Sequence, residues 1–411
     1  MDILIVSQYF WPEQFLINDL SIKIRDQGHS VSIFTGKPNY PDGLIYPGYT
    51  SAGVHQEFYA EDIDIFRVPM RPRKNGGVKN LMLNYFSFVL SGLKHSNKFS
   101  RNKEFDVILV FGMSPITAAI PAILLKWTTR SHLAIWVQDL WPESIEATGF
   151  IRNKFLLNCI RFLVRVIYHF SDTILVQSKA FIPQISKLTS KNKVIYYPNS
   201  VKDVFSKIET SEQLPSELVS LLESSFCVVF AGNIGKAQSV DTIVKAAEQF
   251  KDITNLKIVL VGSGSKCEWI KKQVCDHKMN NLVLTGQYPS LLMPLIFSKA
   301  SALLVTLKRD EIFSYTIPSK VQSYLAAGKP IIAALNGAGA KIIQEARAGL
   351  TCPAEDWEKL ANIIKTLYYL PKSKREEMGR SGRSYFLEHF EMENQTLRLI
   401  EILENRLETT R

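Results

Sequence analysis

Arg309-Asp-Glu-Ile-Phe-Ser-Tyr-Thr-Ile-Pro-Ser-Lys-Val-Gln-Ser-Tyr-Leu-Ala-Ala-Gly-Lys-Pro-Ile-Ile-Ala-Ala334 is the stretch from which the fold is read. Pro318 has no amide hydrogen to leave unsatisfied, and Ser319 can cap free donors, so a helix is expected to start there. Gly328 ends it after about ten residues, and Pro330 prevents its resumption. Ile331-Ile-Ala-Ala334 after it, and Ala302-Leu-Leu-Val-Thr306 before it, are short and apolar. Both read as buried parallel strands. A short helix starting between two such strands gathers unpaired N–H groups and the positive end of its dipole, which is a place to hold an anion. Lys320, in the first turn, adds a full positive charge. The same residues also fit a surface strand–helix unit with an ordinary lysine.

Outward from this stretch, the second half of the chain repeats one pattern. Cys227-Val-Val-Phe-Ala231 reads as a strand, Gly232-Asn-Ile-Gly-Lys-Ala-Gln-Ser239 as a loop, and Val240 to Phe250 as a helix. Glycine there lets backbone N–H groups approach phosphate oxygens closely, although the loop is neither GxGxxG nor a Walker sequence. Leu256-Lys-Ile-Val-Leu-Val261 ends in Gly262-Ser-Gly264, and Leu282-Val-Leu-Thr285 ends in Gly286-Gln-Tyr288. Each alone is an ordinary strand–helix turn. Helices are expected over Asp356–Tyr369, Lys374–His389 and Glu391–Leu407.

The first half opens with a strand at Ile3–Val6, a loop at Ser7–Glu13, a helix from Asn18 to Gln27 closed by Gly28, and a strand at His29–Thr35. That βαβ unit requires a parallel sheet and places ligand-facing loops at the strand C-termini. Asp62-Ile-Asp64 matches a metal-binding DxD, but two acids in a polar stretch are read as solvated, and no metal is expected. Strands at Asp106–Phe111 and Leu133–Val137 lead into Gly112-Met-Ser-Pro115 and Gln138-Asp-Leu-Trp-Pro-Glu-Ser144. In the latter, Asp139 and Glu143 can contact sugar hydroxyls or take up a proton from an attacking hydroxyl. Loop capping beside a packed Trp141 is the plainer alternative. Thr173–Ser178 and Lys193–Val201 complete this half.

Composition sets the partners. The chain has 411 residues, 46% of them apolar, enough for two cores. A net charge of +10 asks for an acidic partner: nucleic acid, an anionic membrane or phosphorylated substrates. Cys159, Cys227, Cys267, Cys275 and Cys352 show no metal-like spacing and read as reduced thiols of a cytoplasmic protein. No apolar run is long enough to span a bilayer. Arg67 to Lys103 is basic and aromatic, with helical apolar spacing over Leu81–Leu90, and Lys154–His169 is a second such segment. Such helices can lie at a membrane interface, and equally can be packed helices of an α/β domain. No nucleic-acid-binding signature accompanies the charge, and nucleic acid is not expected as a partner.

Pro-Ser-Lys-x-x-x-Tyr-Leu-Ala-Ala-Gly-Lys-Pro, from Pro318 to Pro330, resembles the nucleotide-sugar segment of the GT-B glycosyltransferases of family 4, in the bacterial branch that builds O-antigen and capsule with fucosamine-type transferases. The resemblance extends over nearly the whole chain and is strongest from Gly232 to Gly349. It implies an α/β chain of two Rossmann-like domains facing across a cleft: 1–199 for the acceptor, 200–385 for the nucleotide sugar, and a C-terminal helix, 386–411, returning to the first. The polar stretch Lys202–Glu217 is then a linker and insertion. The family carries two glutamates that, counted back from Gly328, fall at Ser323 and Tyr315. Its loop Arg and Lys fall at Asn233 and Gln238, and the His of its His-Asp pair at Gln138. In place of its first Gly-rich turn stands Trp11-Pro12-Glu13-Gln14.

By that resemblance the protein is a retaining, metal-independent glycosyltransferase without a cofactor. It would move a sugar, such as an N-acetylated deoxysugar of the FucNAc type, from a nucleoside diphosphate, UDP favoured, to an undecaprenyl-diphosphate-linked saccharide. It would sit peripherally on an anionic surface, the inner face of the cytoplasmic membrane. The donor is assigned to Gly232, Asn233, Gly235, Lys236, Gln238, Gly262, Gly264, Gly286, Tyr288, Tyr315, Ser319 and Ser323, and the acceptor to Trp11, Glu13, Trp141 and Glu143. Catalysis is assigned to Lys320, Asp139 and Gln138, with Asp139 first a positioning group and second a base. A nucleotide-sugar 2-epimerase of the same architecture and a non-catalytic sugar-nucleotide binder are the alternatives.

Overall fold

Ile3–Val6, Val107–Phe111 and Leu133–Val137 are apolar at every position, the pattern of strands covered on both faces. In the computed structural model, which describes residues 1–74, 77–147, 151, 153–206 and 213–410, these runs form the centre of a sheet and are buried throughout. The chain divides into two units, Met1–Ser200 with Met392–Arg411, and Val201–Glu391.

In the first unit the strands are β1 (Asp2–Val6), β2 (Ser30–Gly36), β3 (His55–Tyr59), β4 (Ile63–Val68), β5 (Val107–Gly112), β6 (His132–Val137), β7 (Thr173–Val176) and β8 (Val194–Tyr196). Their order is β3-β4-β2-β1-β5-β6-β7-β8. Every pairing is parallel except that of β3 with β4. The helices are α1 (Leu16–Asp26), α2 (Val78–Ser100), α3 (Ala119–Thr129), α4 (Glu143–Ala147), α5 (Lys154–Phe170) and α6 (Phe181–Ile185). Asp62, exposed as expected, pairs at the surface with Arg25 at 2.7 Å, and the partly buried Asp64 pairs with Lys103 at 2.8 Å.

The second unit holds β9 (Phe226–Ala231), β10 (Leu256–Val261), β11 (Leu282–Gly286), β12 (Ala302–Thr306), β13 (Ile331–Ala334) and β14 (Gly349–Cys352) in the order β11-β10-β9-β12-β13-β14, all parallel. Around them lie α7 (Ser216–Ser224), α8 (Val240–Glu248), α9 (Cys267–Asp276), α10 (Met293–Lys299), α11 (Glu311–Tyr315), α12 (Ser319–Ala326), α13 (Ala338–Glu345), α14 (Trp357–Tyr369) and α15 (Lys372–His389). The linker expected over Lys202–Glu217 falls in part on residues 207–212, outside the described residues. α16 (Met392–Thr410) returns to the first unit, where Leu399 and Leu403 pack with Ile17, Leu20 and Ile24 of α1. The return begins at Met392 rather than 386 because α15 is tied to the second unit: Arg383 reaches Asp203 at 2.7 Å and the Ala326 carbonyl at 2.9 Å.

In both sheets the strand order reverses next to the first strand, between β1 and β5 and between β9 and β12. At such a switch point the two neighbouring loops diverge and leave a crevice at the C-terminal edge, where α/β sheets take ligands.

Candidate functional site

The second unit concentrates its glycines at that crevice. Leaving β9, the chain continues alongside the end of β10: the Gly232 N–H donates to the Val261 carbonyl at 2.8 Å and the Ile234 N–H to the Ser263 carbonyl at 2.7 Å. The Gly262 N–H bonds in turn to the Gly286 carbonyl at 2.7 Å. Gly262 has φ +144°, and a Cβ there would lie 1.9 Å from the Gly232 oxygen; one on Gly264 would lie 2.4 Å from the Ile234 oxygen. Only glycine fits either place. The ends of β11, β10, β9 and β12 thus run side by side as one edge. Tyr288, partly buried, packs on the core beneath it.

Lys320 is the exceptional group at this edge. It lies in the first turn of α12, whose following residues Val321, Tyr324 and Leu325 are buried against β9 and β12. The Ala231 N–H donates to the Tyr324 hydroxyl at 3.2 Å, which fixes the helix start against the end of β9. The Lys320 ammonium therefore stands 3.7 Å from the centroid of the Phe230 ring, beside Gly232, where a Cβ would come within 3.2 Å of it. Its Nζ is buried and has no hydrogen-bond partner among the described residues. Burial lowers its pKa to about 8. A desolvated cation without an acceptor favours any site that brings an anion to it.

Other residues of the expected donor set lie around this point. Ser319 is exposed at the helix start. It does not cap the helix as expected, because Pro318 takes the N-cap position and no side chain bonds the first turn. Ser323 faces outward one turn on, half-buried. Gly235, Lys236 and Gln238 belong to the single 3₁₀ turn after β9 or its cap, with Lys236 exposed. Asn233 donates to the Gln238 carboxamide at 3.4 Å. Tyr315, on α11, donates through its hydroxyl to Glu311. That pair fills the register where a glutamate was sought with a tyrosine leaning on the glutamate one turn before it.

In the first unit, Gln138 and Asp139 follow β6 at its C-terminal edge. The Gln138 N–H bonds the Gly112 carbonyl at 3.1 Å, while its buried side-chain Nε2 has no partner among the described residues. Ser114 donates to the Asp139 carboxylate at 2.7 Å and accepts from the Trp141 indole at 3.0 Å. Sequence reasoning noted the Gly112–Pro115 loop without assigning Ser114. Its link to Asp139 spans separate strands and has no local signal. Asp139, Ser114 and Trp141 are among the residues that line an apolar cavity of about 660 Å³.

Glu143 and Glu13, also expected at the acceptor, are not among the residues that line that cavity. Glu143 lies 3.8 Å from Arg161, in a separate small cavity beyond Trp141. Glu13 is 1% exposed, and its carboxylate accepts the N–H groups of Asn39 and Tyr40 at 2.7 Å and of Phe10 at 3.1 Å. Burial pushes its pKa up to about 7 against the pull of those three amides. It ties two loops together from the inside. Trp11 is half-exposed above Tyr59, its carbonyl held by the buried Arg67.

Comparison with known proteins accords with this geometry. Residues 219–385, which contain the Gly232 and Lys320 edge, match the family model described as glycosyl transferases group 1. The probable glycosyltransferase WbjE of Pseudomonas aeruginosa is 24% identical over 326 residues, 78% of this chain and 79% of that protein. A putative colanic acid biosynthesis glycosyl transferase of Escherichia coli, WcaI, is 22% identical over 314 residues, 74% of each. Among solved structures, Anabaena Alr3699/HepE in complex with UDP superposes with a TM-score of 0.68 at 13% identity, covering 98% of this chain and 100% of that one. Sucrose-phosphate synthase from Thermosynechococcus elongatus does so with a TM-score of 0.73 at 14% identity, covering 98% and 99%. The fold is the two-domain Rossmann-like architecture of GT-B proteins.

Proposed function

We propose that this chain is a retaining, metal-independent glycosyltransferase that moves a sugar from a nucleoside diphosphate, UDP favoured, to a lipid-diphosphate-linked saccharide in surface-polysaccharide assembly. One observation carries the donor half: the buried Lys320 ammonium, without a hydrogen-bond partner among the described residues, at the start of α12 and beside Gly232. A departing diphosphate would give it the missing acceptors, and the first N–H groups of α12 and the opened Gly232 loop would share the charge. The match of residues 219–385 to a glycosyltransferase family model and the likeness to a fold solved with UDP support the same reading.

Within the first unit, Asp139 holds the acceptor hydroxyl, and Gln138 beside it carries a buried side-chain donor without a partner among the described residues. Ser114 fixes one carboxylate oxygen of Asp139 and leaves the other for substrate. The leaving diphosphate can itself accept the acceptor proton, so Asp139 acts first by positioning. The acceptor's lipid end places the protein at a membrane surface. No helix of the described residues is long and apolar enough to cross one. Exposed Phe86, Leu90, Phe155 and Phe162 on α2 and α5, with Lys and Arg on the same helices, supply an interfacial contact.

The test is a thermal-shift panel with UDP, GDP, ADP and CMP, followed by transfer assays with the sugar nucleotide of the base that stabilises. A ligand at a hundred times its Kd adds about 2.7 kcal/mol of stability. Stabilisation by UDP and transfer to a lipid-linked acceptor are expected. Release of a free isomerised sugar nucleotide would make the chain an epimerase, and stabilisation without turnover would make it a binder.

A further inference from the structure

The cavity lined in part by Asp139, Ser114 and Trp141 has a use of its own. It runs between α2 and α5 over α3, with Leu81, Tyr85 and Val89 on one wall, Ile160 and Leu163 on the other, and Ile120 as floor. Its volume of about 660 Å³ lies within the range of small-molecule sites. Apart from Asp139, Ser114 and Trp141, its polar groups are few, and one of them, the Thr117 hydroxyl, is buried without a hydrogen-bond partner among the described residues. An apolar slot of this size, left open beside exposed Met82, Phe86 and Leu90, is shaped for hydrocarbon.

Charge narrows the occupant. From Val78 to Ser100 and from Lys154 to Phe170 there is no Asp or Glu, while Lys79, Lys94, Lys98, Lys154, Arg161 and Arg165 all lie on these two helices. Arg73 lines the cavity with its guanidinium stacked 5.1 Å from the Tyr40 ring, and has no ion-pair partner among the described residues. The molecule that fits has an anionic head for Arg73 and one apolar chain for the slot. A two-chain glycerolipid would leave its second chain without a place.

We propose that this groove takes the single chain of a lipid phosphate, with the phosphate at Arg73 and the chain lying between α2 and α5. The proposal rests on the reading of the acceptor as lipid-linked, and it adds that the protein grips the chain itself rather than only the sugar.

Farnesyl phosphate, titrated into the full chain by calorimetry below its aggregation limit, is the probe, with inorganic phosphate and dioleoyl phosphatidylglycerol vesicles as comparisons. Farnesyl phosphate is expected to bind and inorganic phosphate to fail. Leu163→Trp and Ile120→Trp, each filling the slot, should weaken binding at least tenfold. Arg73→Ala should weaken farnesyl phosphate but not farnesol. Phe58→Ser, exposed on β3 away from the groove, should change nothing. Folding of the variants is read from far-UV circular dichroism and from an unchanged calorimetric transition of the first unit, to which all of them belong. No binding of farnesyl phosphate, equal binding by the filled variants, or an equal loss of phosphatidylglycerol-vesicle binding in those variants would overturn the groove. So would a concentration-dependent dimer dissolved by Leu163→Trp, which would make the slot a self-contact. The donor assignment fails separately: without a UDP shift but with farnesyl phosphate bound, the chain site stands and the transferase reading falls.

Discussion

At Lys320 the fold carries a cost that only a ligand removes. Protonated and buried over Phe230, the ammonium is less stable in the folded chain than in the unfolded one, hence its pKa of about 8. The unfolded chain binds the extra proton between that value and the ordinary lysine range. The penalty is therefore fully present below about pH 8 and disappears as pH rises through the window above it. Lys320→Met, which keeps the volume and removes the charge, should raise stability at pH 7 by on the order of 2–3 kcal/mol, read from urea unfolding, and lose the gain near pH 10. The same variant should weaken UDP binding at least tenfold, since a hydrogen bond to a charged group is worth about 1.5–3 kcal/mol. For the wild type, affinity for UDP should fall above pH 8, by up to about tenfold per unit, because the ligand needs the charged lysine. A flat profile would remove Lys320 from the anion site. The helix start was legible from Pro318, Gly328 and Pro330. That Lys320 would be buried was not, because the ring that covers it is ninety residues away in sequence. The setting of Glu13 was hidden for a like reason: the Asn39 and Tyr40 amides that bond its carboxylate have no local signature.

Strand ends and helix faces make the next scale. Gly262 and Gly286 both have positive φ at the same sheet edge, yet their surroundings differ. Gly262→Ala adds a collision with the Gly232 carbonyl to the backbone strain and should cost at least about 2 kcal/mol, with loss of UDP binding. Gly286→Ala meets nothing within 4 Å, so it should cost about 1 kcal/mol and leave the edge intact. Chemical denaturation and UDP titration of both variants separate close approach from conformation alone. On α2 and α5 the exposed aromatics make a second prediction. Phe155, 77% exposed, and Phe162, 67%, project from a helix without acids. Phe155→Ser with Phe162→Ser should lower partition onto phosphatidylglycerol vesicles at least tenfold, since each buried Phe is worth about 1.5–3 kcal/mol. Raising salt should weaken the wild type as well. If sedimentation with vesicles is unchanged, these helices do not touch the membrane. Such elements were largely legible: continuous apolar runs announced β1, β5, β6, β9 and β12, because strands covered on both faces have no polar side. His55–Tyr59 was not, since His-Gln-Glu-Phe-Tyr has no polar–apolar alternation and this edge strand takes its identity from pairing with β4.

For the molecule as a whole, the two units each close their own core. Ile3, Ile5, Leu109 and Trp136 belong to the first, completed by Leu399 and Leu403 of α16. Val229, Val305, Val321 and Phe386 belong to one face of the second sheet, and Val228, Ile258 and Leu360 to the other. Chains with separate cores depart from two-state unfolding. Calorimetry should therefore resolve two transitions. A ligand stabilises only the unit whose folded form binds it, by an amount set by its concentration over its Kd. UDP should raise one transition alone, and hydrogen exchange should assign that transition to Val201–Glu391. Farnesyl phosphate should raise the other. Lys320→Met should abolish the first effect and leave the second, whereas Leu163→Trp should do the reverse. If UDP raised both transitions equally, the units would unfold as one body, and assigning donor and lipid to separate cores would lose its thermodynamic basis. If UDP raised only the transition of the first unit, the anion site at α12 would be wrong even with transferase activity intact.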